Sequence, residues 1–237
     1  MKKIRIRKSD KVVVLTGAGI SAESGIKTFR DNNGLWEEQA VEDVATPAAF
    51  QRDPLMVWRF YKERLAQLQD VKPNPAHFAL ARLESYCQDF VLITQNVDGL
   101  HQAAGSKNVW QMHGALDQAV CTACCGKFSS SQIDLTEPLP HCPECAGNLR
   151  PDIVWFGEMP YFLDEIQKAL QQADYFLAIG TSGLVYPAAQ FMQIAKYCRA
   201  KTICVNLEDP QNMIYADYFF SGRSGEILPE LVAEWTQ

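Results

Sequence analysis

The chain has 237 residues, 47% of them apolar and 21% charged, with a formal net charge of −6. This is the make-up of a globular protein with one large domain or a domain with an insertion. The acidic balance argues against a nucleic-acid module, which carries a basic face, and suits basic, lysine-containing segments instead. No apolar run approaches the ~18 residues of a membrane span. Residues 1–8 are basic but run into Ser9, Asp10 and Lys11 rather than an apolar stretch. Neither a secretory signal nor a membrane anchor is expected, and a cytoplasmic chain is.

The first element is Val12-Val13-Val14-Leu15, a short β-branched run that reads as a buried strand over 11–17, central in a parallel sheet. It runs into Gly17-Ala18-Gly19-Ile20-Ser21-Ala22-Glu23-Ser24-Gly25. Glycine accepts φ > 0 and lets a phosphate approach the backbone, and Ser21 or a neighbour is expected to open a helix whose N–H groups face an anion. The usual G-x-G-x-x-G pattern is broken, because the third glycine, Gly25, lies six positions after Gly19. The acidic residue that should close a second strand is also missing. On spacing alone, a nucleotide loop and a plain turn are equally good readings.

Residues 37–85 are helical in pattern and divided by Pro47, Pro54, Pro73 and Pro75. One helix is expected over 55–68. A second is expected over 76–86, capped by Asn74 with Pro75 at its first position. Strands follow at 90–94 and 109–112. Residues 117–150 hold cysteines, turns and few large apolar groups, so they depend on metal for their fold. Beyond Pro151 the spacing predicts strands at 153–155, 175–180 and 202–206 and helices over 163–173 and 186–198. This alternation predicts an α/β fold, a Rossmann-like doubly wound parallel sheet carrying an inserted small zinc-binding and helical lobe, with ligands at the strand carboxyl ends.

Cys121-x-x-Cys124, seventeen intervening residues and Cys142-x-x-Cys145 match a four-cysteine zinc spacing. Four thiolates saturate the ion, so the zinc is structural. Two disulfides or a redox pair are the competing reading, and Cys125 competes with Cys124 as ligand, although the x-x spacing favours Cys124. Cys87, Cys198 and Cys204 sit in apolar patterns as buried thiols. His113 follows a strand and suits proton transfer, but by composition His77, His101 and His141 are as good. Gln95, Asn96 and Asp98 end a strand, where their polar groups either hold a ligand or close an Asx turn.

Taken in order, the glycine stretch with Phe29, Arg30 and Trp36, then Gln95-Asn96-Val97-Asp98, His113-Gly114, the cysteine pairs, Phe156-Gly157-Glu158, Gly180-Thr181-Ser182 and Asn206-Leu207-Glu208 resemble the motifs of the sirtuin family. Sirtuins are NAD-dependent protein lysine deacylases, and the resemblance spans about residues 11–230. It implies NAD consumed as co-substrate, one structural zinc per chain, and acylated lysine side chains of proteins as partners. It places Gly17, Ala18, Gly19, Ala22, Phe29, Arg30, Trp36, Gln95 and Val97 against the cofactor. Asn96 would orient the ribose and a water, and Asp98 would hold the nicotinamide amide. Gly180, Thr181, Ser182, Asn206, Leu207 and Glu208 would meet the phosphates and adenine ribose, with Ser224 at the adenine. His113 becomes the general base.

The same resemblance implies that the acyl-lysine enters between the lobes, its backbone adding as a strand to 183–186 and to Val154, Phe156, Gly157 and Glu158. Tyr61 and Arg64, three apart on one helix, with Ala45 upstream, resemble the class that accepts succinyl-lysine. The division expected is residues 1–36, 86–116 and 151–237 as the Rossmann-like domain, 37–85 as a helical module and 117–150 as a zinc-binding module. The sequence does not fix the oligomeric state; a monomer is expected. A dehydrogenase on a similar sheet, or a non-catalytic NAD-sensing adaptor, are the rival classes.

Overall fold

The computed structural model describes residues 4–26, 35–36 and 39–237. The chain opens with β1 (Lys11–Thr16), followed by the short β2 (Leu35–Trp36) and β3 (Gln39–Ala40). Four helices come next: α1 (Val41–Val44), α2 (Pro47–Arg52), α3 (Pro54–Gln67) and α4 (Pro75–Tyr86). Then come β4 (Asp89–Thr94), α5 (Leu100–Ala103), β5 (Val109–Gln111), β6 (Gly114–Cys121), β7 (Lys127–Ser129) and β8 (Leu149–Ile153). The last third holds α6 (Leu163–Gln172), β9 (Tyr175–Ile179), α7 (Phe191–Tyr197), β10 (Lys201–Asn206), β11 (Tyr218–Ser221) and α8 (Ser224–Trp235).

The main sheet is fully parallel, in the order β11-β10-β9-β1-β4-β5. Side chains alternate along β1. Val12 and Val14 therefore enter one core, with Leu80 and Leu83 of α4 and Leu228, Val232 and Trp235 of α8. Val13 and Leu15 enter the other, with Ile166 and Leu170 of α6 and Phe191 and Met192 of α7. Helices thus cover both faces, as the buried β-branched strand requires. Chain order reverses between β1 and β9, so the loops that leave those two strands flank the topological switch point.

The antiparallel sheet β7-β6-β8 carries the cysteine pairs. Its own apolar groups are few, and α3 completes the core: Trp58 packs with Ala119, Phe128 and Leu149 and donates Nε1–H to the Leu149 carbonyl at 2.8 Å.

Several expectations are corrected. The glycine stretch opens no α-helix; it forms two 3-10 turns, Ala18–Ile20 and Ala22–Ser24. The helix expected over 76–86 starts at Pro75, capped by the Asn74 side chain as foreseen, but it packs on the main sheet and not in the small lobe. Apolar spacing along a helix says that one face is buried, not against which sheet. The strand expected at 153–155 ends at Ile153 and belongs to the antiparallel sheet. The helix expected over 186–198 begins only at Phe191, after a 3-10 turn. Cys204 is buried, whereas Cys87 and Cys198 are only half-buried. Among the described residues no helix is long and apolar enough to cross a membrane.

Candidate active site

The loops after β1 and β9 meet backbone to backbone. Gly17 N–H donates to the Ile179 carbonyl at 3.0 Å and Gly19 N–H to the Gly180 carbonyl at 2.9 Å. A Cβ on Gly17 would lie 2.8 Å from the Gly180 oxygen, and one on Gly19 2.8 Å from the Gly180 Cα. These two glycines are needed for close approach rather than for positive φ, since Gly17 has an ordinary φ of −124°. The left-handed positions in these loops are Gly25 at +94°, Gly180 at +60° and Gly183 at +68°. The two loops thus pack against each other as a floor of bare backbone at the switch point.

Polar side chains converge beside it. Ser21 Oγ donates to Asp98 Oδ2 at 2.7 Å, and Asn96 Nδ2 lies 3.2 Å from Ser21 Oγ and 3.1 Å from the Gly17 carbonyl. Gln95 Nε2 donates to Thr181 Oγ1 at 3.2 Å, tying the β4 loop to the β9 loop. Asn206 Nδ2 reaches the Thr181 carbonyl at 3.0 Å. Burial raises the Asp98 carboxyl above its ordinary value, against the lowering effect of its bonds from Leu100 N–H and Ser21. Ser224 is buried at the start of α8. Ala22, Leu207 and Glu208 are exposed, and Ala18 and Ser182 are partly so. Val97 packs beside the Ala45–Tyr61 cluster and accepts from Leu116 N–H at 3.0 Å. Phe29 and Arg30 lie outside the described residues, as does the Trp36 side chain.

The four histidines are told apart by their surroundings. His77 and His101 are fully buried; burial pulls them down to about 4 and about 3, the latter helped by the charge of His77. His141 is exposed on the zinc module, in an isolated bridge to Asn148. His113 is half-buried at the end of β5, its Nδ1 3.0 Å from the Gln95 carbonyl. A carbonyl only accepts, so Nδ1 carries the proton and Nε2 is left as the basic atom. Burial lowers the His113 pKa, partly offset by the Gln95 carbonyl, so the ring is neutral near pH 7.

Between the lobes, the inward edge of 154–156 is already paired: Val154 N–H donates to the His113 carbonyl at 2.9 Å and Phe156 N–H to the Ala45 carbonyl at 3.0 Å. Phe156, Met159, Leu184, Val185 and Tyr186 are exposed large apolar residues of the flanking loops. Ala45 and Tyr61 share one cluster with Trp155, and Arg64, only 8% exposed, follows on α3. The Arg64 guanidinium donates to Gln67 Oε1 and sits 5.6 Å from the Phe60 ring centre. Glu158 does not offer its carboxylate outward. Both oxygens engage Arg150, at 2.6 and 2.9 Å, and one also accepts from Trp155 N–H at 2.8 Å. The Glu158 side chain thus holds the loop, while the contact with substrate expected of this residue is through its backbone. Sequence reasoning missed Arg150, because the partner lies across a turn and carries no motif.

The four expected ligands Cys121, Cys124, Cys142 and Cys145 place all their sulfurs within 4.8 Å of one another, and Cys125 stays outside the group. The Cys121–Cys145 and Cys124–Cys142 sulfurs are 3.5 and 3.7 Å apart. That is far beyond the ~2.05 Å of a disulfide and close to the ~3.8 Å edge of a tetrahedron with ~2.3 Å Zn–S bonds. The donor set fits a zinc ion with no open position.

A model of the Sir2 family matches residues 17–187. The chain belongs to the Sir2 family. A relative from Bdellovibrio bacteriovorus named "NAD-dependent protein deacylase" is 51% identical, covering 95% of this chain and 97% of its own. Among solved structures, a Sir2 homolog–NAD complex superposes with a TM-score of 0.87 at 42% identity, covering 96% of this chain and 90% of its own. A Sir2–p53 peptide–NAD+ complex does so with a TM-score of 0.83 at 33% identity, covering 96% and 94%. Within this family fold, the glycine floor and the Ser21–Asn96–Asp98 cluster lie at the switch point.

Proposed function

We propose that this chain is an NAD-dependent protein lysine deacylase. It transfers the acyl group from a lysine side chain to ADP-ribose, with release of nicotinamide and of free lysine. The observation that carries this reading is the convergence at the switch point of a bare-backbone floor (Gly17, Gly19, Gly180), an amide–carboxylate cluster (Asn96, Asp98, Ser21) and one neutral histidine. That set fits a dinucleotide: a glycine loop at a switch point lets phosphates come close to the backbone, and amides and hydroxyls bind ribose and carboxamide.

NAD supplies an activated ribose that accepts the acyl group. The protein's share is positioning and proton transfer. Gly17, Ala18, Gly19 and Ala22 hold the pyrophosphate side; Thr181, Ser182, Asn206, Leu207, Glu208 and Ser224 hold the adenosine side. Asn96 and Asp98, locked by Ser21, orient the ribose and the carboxamide, with Gln95 and Val97 framing them. His113 Nε2 takes a proton from a ribose hydroxyl while Nδ1–H stays fixed on Gln95. The acyl-lysine lies between the lobes along 154–158 and 183–186 as an added strand, which reads little sequence. The zinc holds the antiparallel sheet together and takes no part in the chemistry.

A second reading concerns the acyl group. Ala45 leaves room, and Tyr61 and Arg64 supply a hydroxyl and a guanidinium for a distal carboxylate, so succinyl-lysine is a substrate beside acetyl-lysine. His113→Tyr tests the main reading. The variant should keep its far-ultraviolet spectrum and melting curve and lose about 10²–10⁴ in turnover. Near-normal nicotinamide release would remove His113 from its role.

A further inference from the structure

Asn74 is a buried amide used for more than its cap. Its Oδ1 accepts from Ala76 N–H at 3.0 Å, which caps α4, and its backbone N–H meets His77 Nδ1 at 3.3 Å. Its Nδ2 turns the other way, donating to the Ile20 carbonyl at 2.7 Å and to Ser24 Oγ at 3.0 Å. Ile20 ends the first 3-10 turn of the glycine loop and Ser24 the second. Between them sits Ser21, whose hydroxyl binds Asp98 and Asn96. From the opposite side, Glu23 Oε1 accepts from Gly225 N–H at 2.8 Å at the start of α8.

We propose that Asn74 is a positioning residue for NAD: its amide protons hold the Ile20–Ser24 segment so that Ser21 keeps Asn96 and Asp98 in their binding geometry. The inference rests on the reading of residues 17–24 as the NAD loop. A cap alone does not need an amide. Aspartate and serine cap a helix about as well as asparagine. What they cannot do is accept from the helix and donate twice to the loop; of the short side chains only asparagine does both. Aspartate would also place a carboxylate oxygen against the Ile20 carbonyl.

Asn74→Asp and Asn74→Ser therefore separate the two roles, since both keep the cap and remove the donors. Steady-state rates are measured with NAD and acyl-peptide varied in turn, alongside melting without NAD. The expected result is a KM for NAD raised about five- to thirtyfold, with kcat and peptide KM within about twofold. A merely structural residue would lower melting temperature and active fraction without moving the KM for NAD. An unchanged KM for NAD in both variants overturns the proposal. Gly19→Ala is the control, because its Cβ collides with Gly180. If Gly19→Ala raises the KM for NAD and the Asn74 variants do not, only the Asn74 role fails. If Gly19→Ala also leaves it unchanged, the loop reading fails and the proposal with it.

Discussion

Trp155 donates its indole Nε1–H to the Tyr61 hydroxyl at 2.9 Å, across rings whose centres are 6.5 Å apart. The phenol oxygen is thus an acceptor towards Trp155. Burial pushes the Tyr61 pKa well above its ordinary value, so the hydroxyl stays protonated. Trp155 is itself braced: the Arg150 guanidinium lies 3.5 Å over its ring and pairs with Glu158. Tyr61 on α3 is therefore oriented from the loop that follows β8.

The first prediction concerns acyl selection. A succinyl carboxylate buried without a partner would cost several kcal/mol, and Arg64 with Tyr61 would offset that cost. Arg64→Met keeps most of the stem and removes the charge. It should lower desuccinylation kcat/KM by about 30- to 1,000-fold and deacetylation by less than about tenfold. Equal losses on both peptides would sink the carboxylate-binding role.

Trp155→Phe should act more gently and in the same direction. It keeps a ring under Arg150 and deletes one neutral hydrogen bond, worth about 1 kcal/mol. Desuccinylation should fall about fivefold relative to deacetylation, read as a ratio on one protein preparation.

The pH profile of kcat/KM reports the free enzyme's base. Burial depresses the folded His113 pKa below 6.5. The reactive, unprotonated ring is present above that depressed pKa and is lost as pH falls through it. The acid limb should therefore lie below pH 6.5. A limb above that value would show that His113 gains a proton more readily than its setting allows.

Removing one zinc ligand should unfold the antiparallel sheet, because metal binding there is folding free energy. Cys142→Ala should lose its zinc, measured by elemental analysis, and lower the melting temperature. A variant that held one zinc per chain and melted normally would contradict the four-cysteine assignment.

Local features were legible in the sequence and distant partnerships were not. Val12 to Leu15, the Cys-x-x-Cys pairs and the Asn74–Pro75 cap each depend on neighbours within a few residues, and all three appear as expected. The constraint that Gly180 puts on Gly17 and Gly19 was not legible, because Gly180 lies far along the chain. Trp155 and Tyr61 are separated by 94 residues, and no spacing rule joins them. The helix Ser224–Trp235 escaped notice because Pro229 interrupts its pattern. Four equivalent histidines became one only when burial removed His77 and His101 and the fold set His141 on the zinc module.

The most direct test of the account is a mass balance. The purified protein is incubated with NAD and an acetyl-lysine peptide, and the products are resolved by mass spectrometry while absorbance at 340 nm is followed. Free lysine peptide, nicotinamide and O-acetyl-ADP-ribose should appear in equal amounts, with no rise in reduced cofactor. Formation of NADH, or loss of the acetyl group without nicotinamide release, would contradict it.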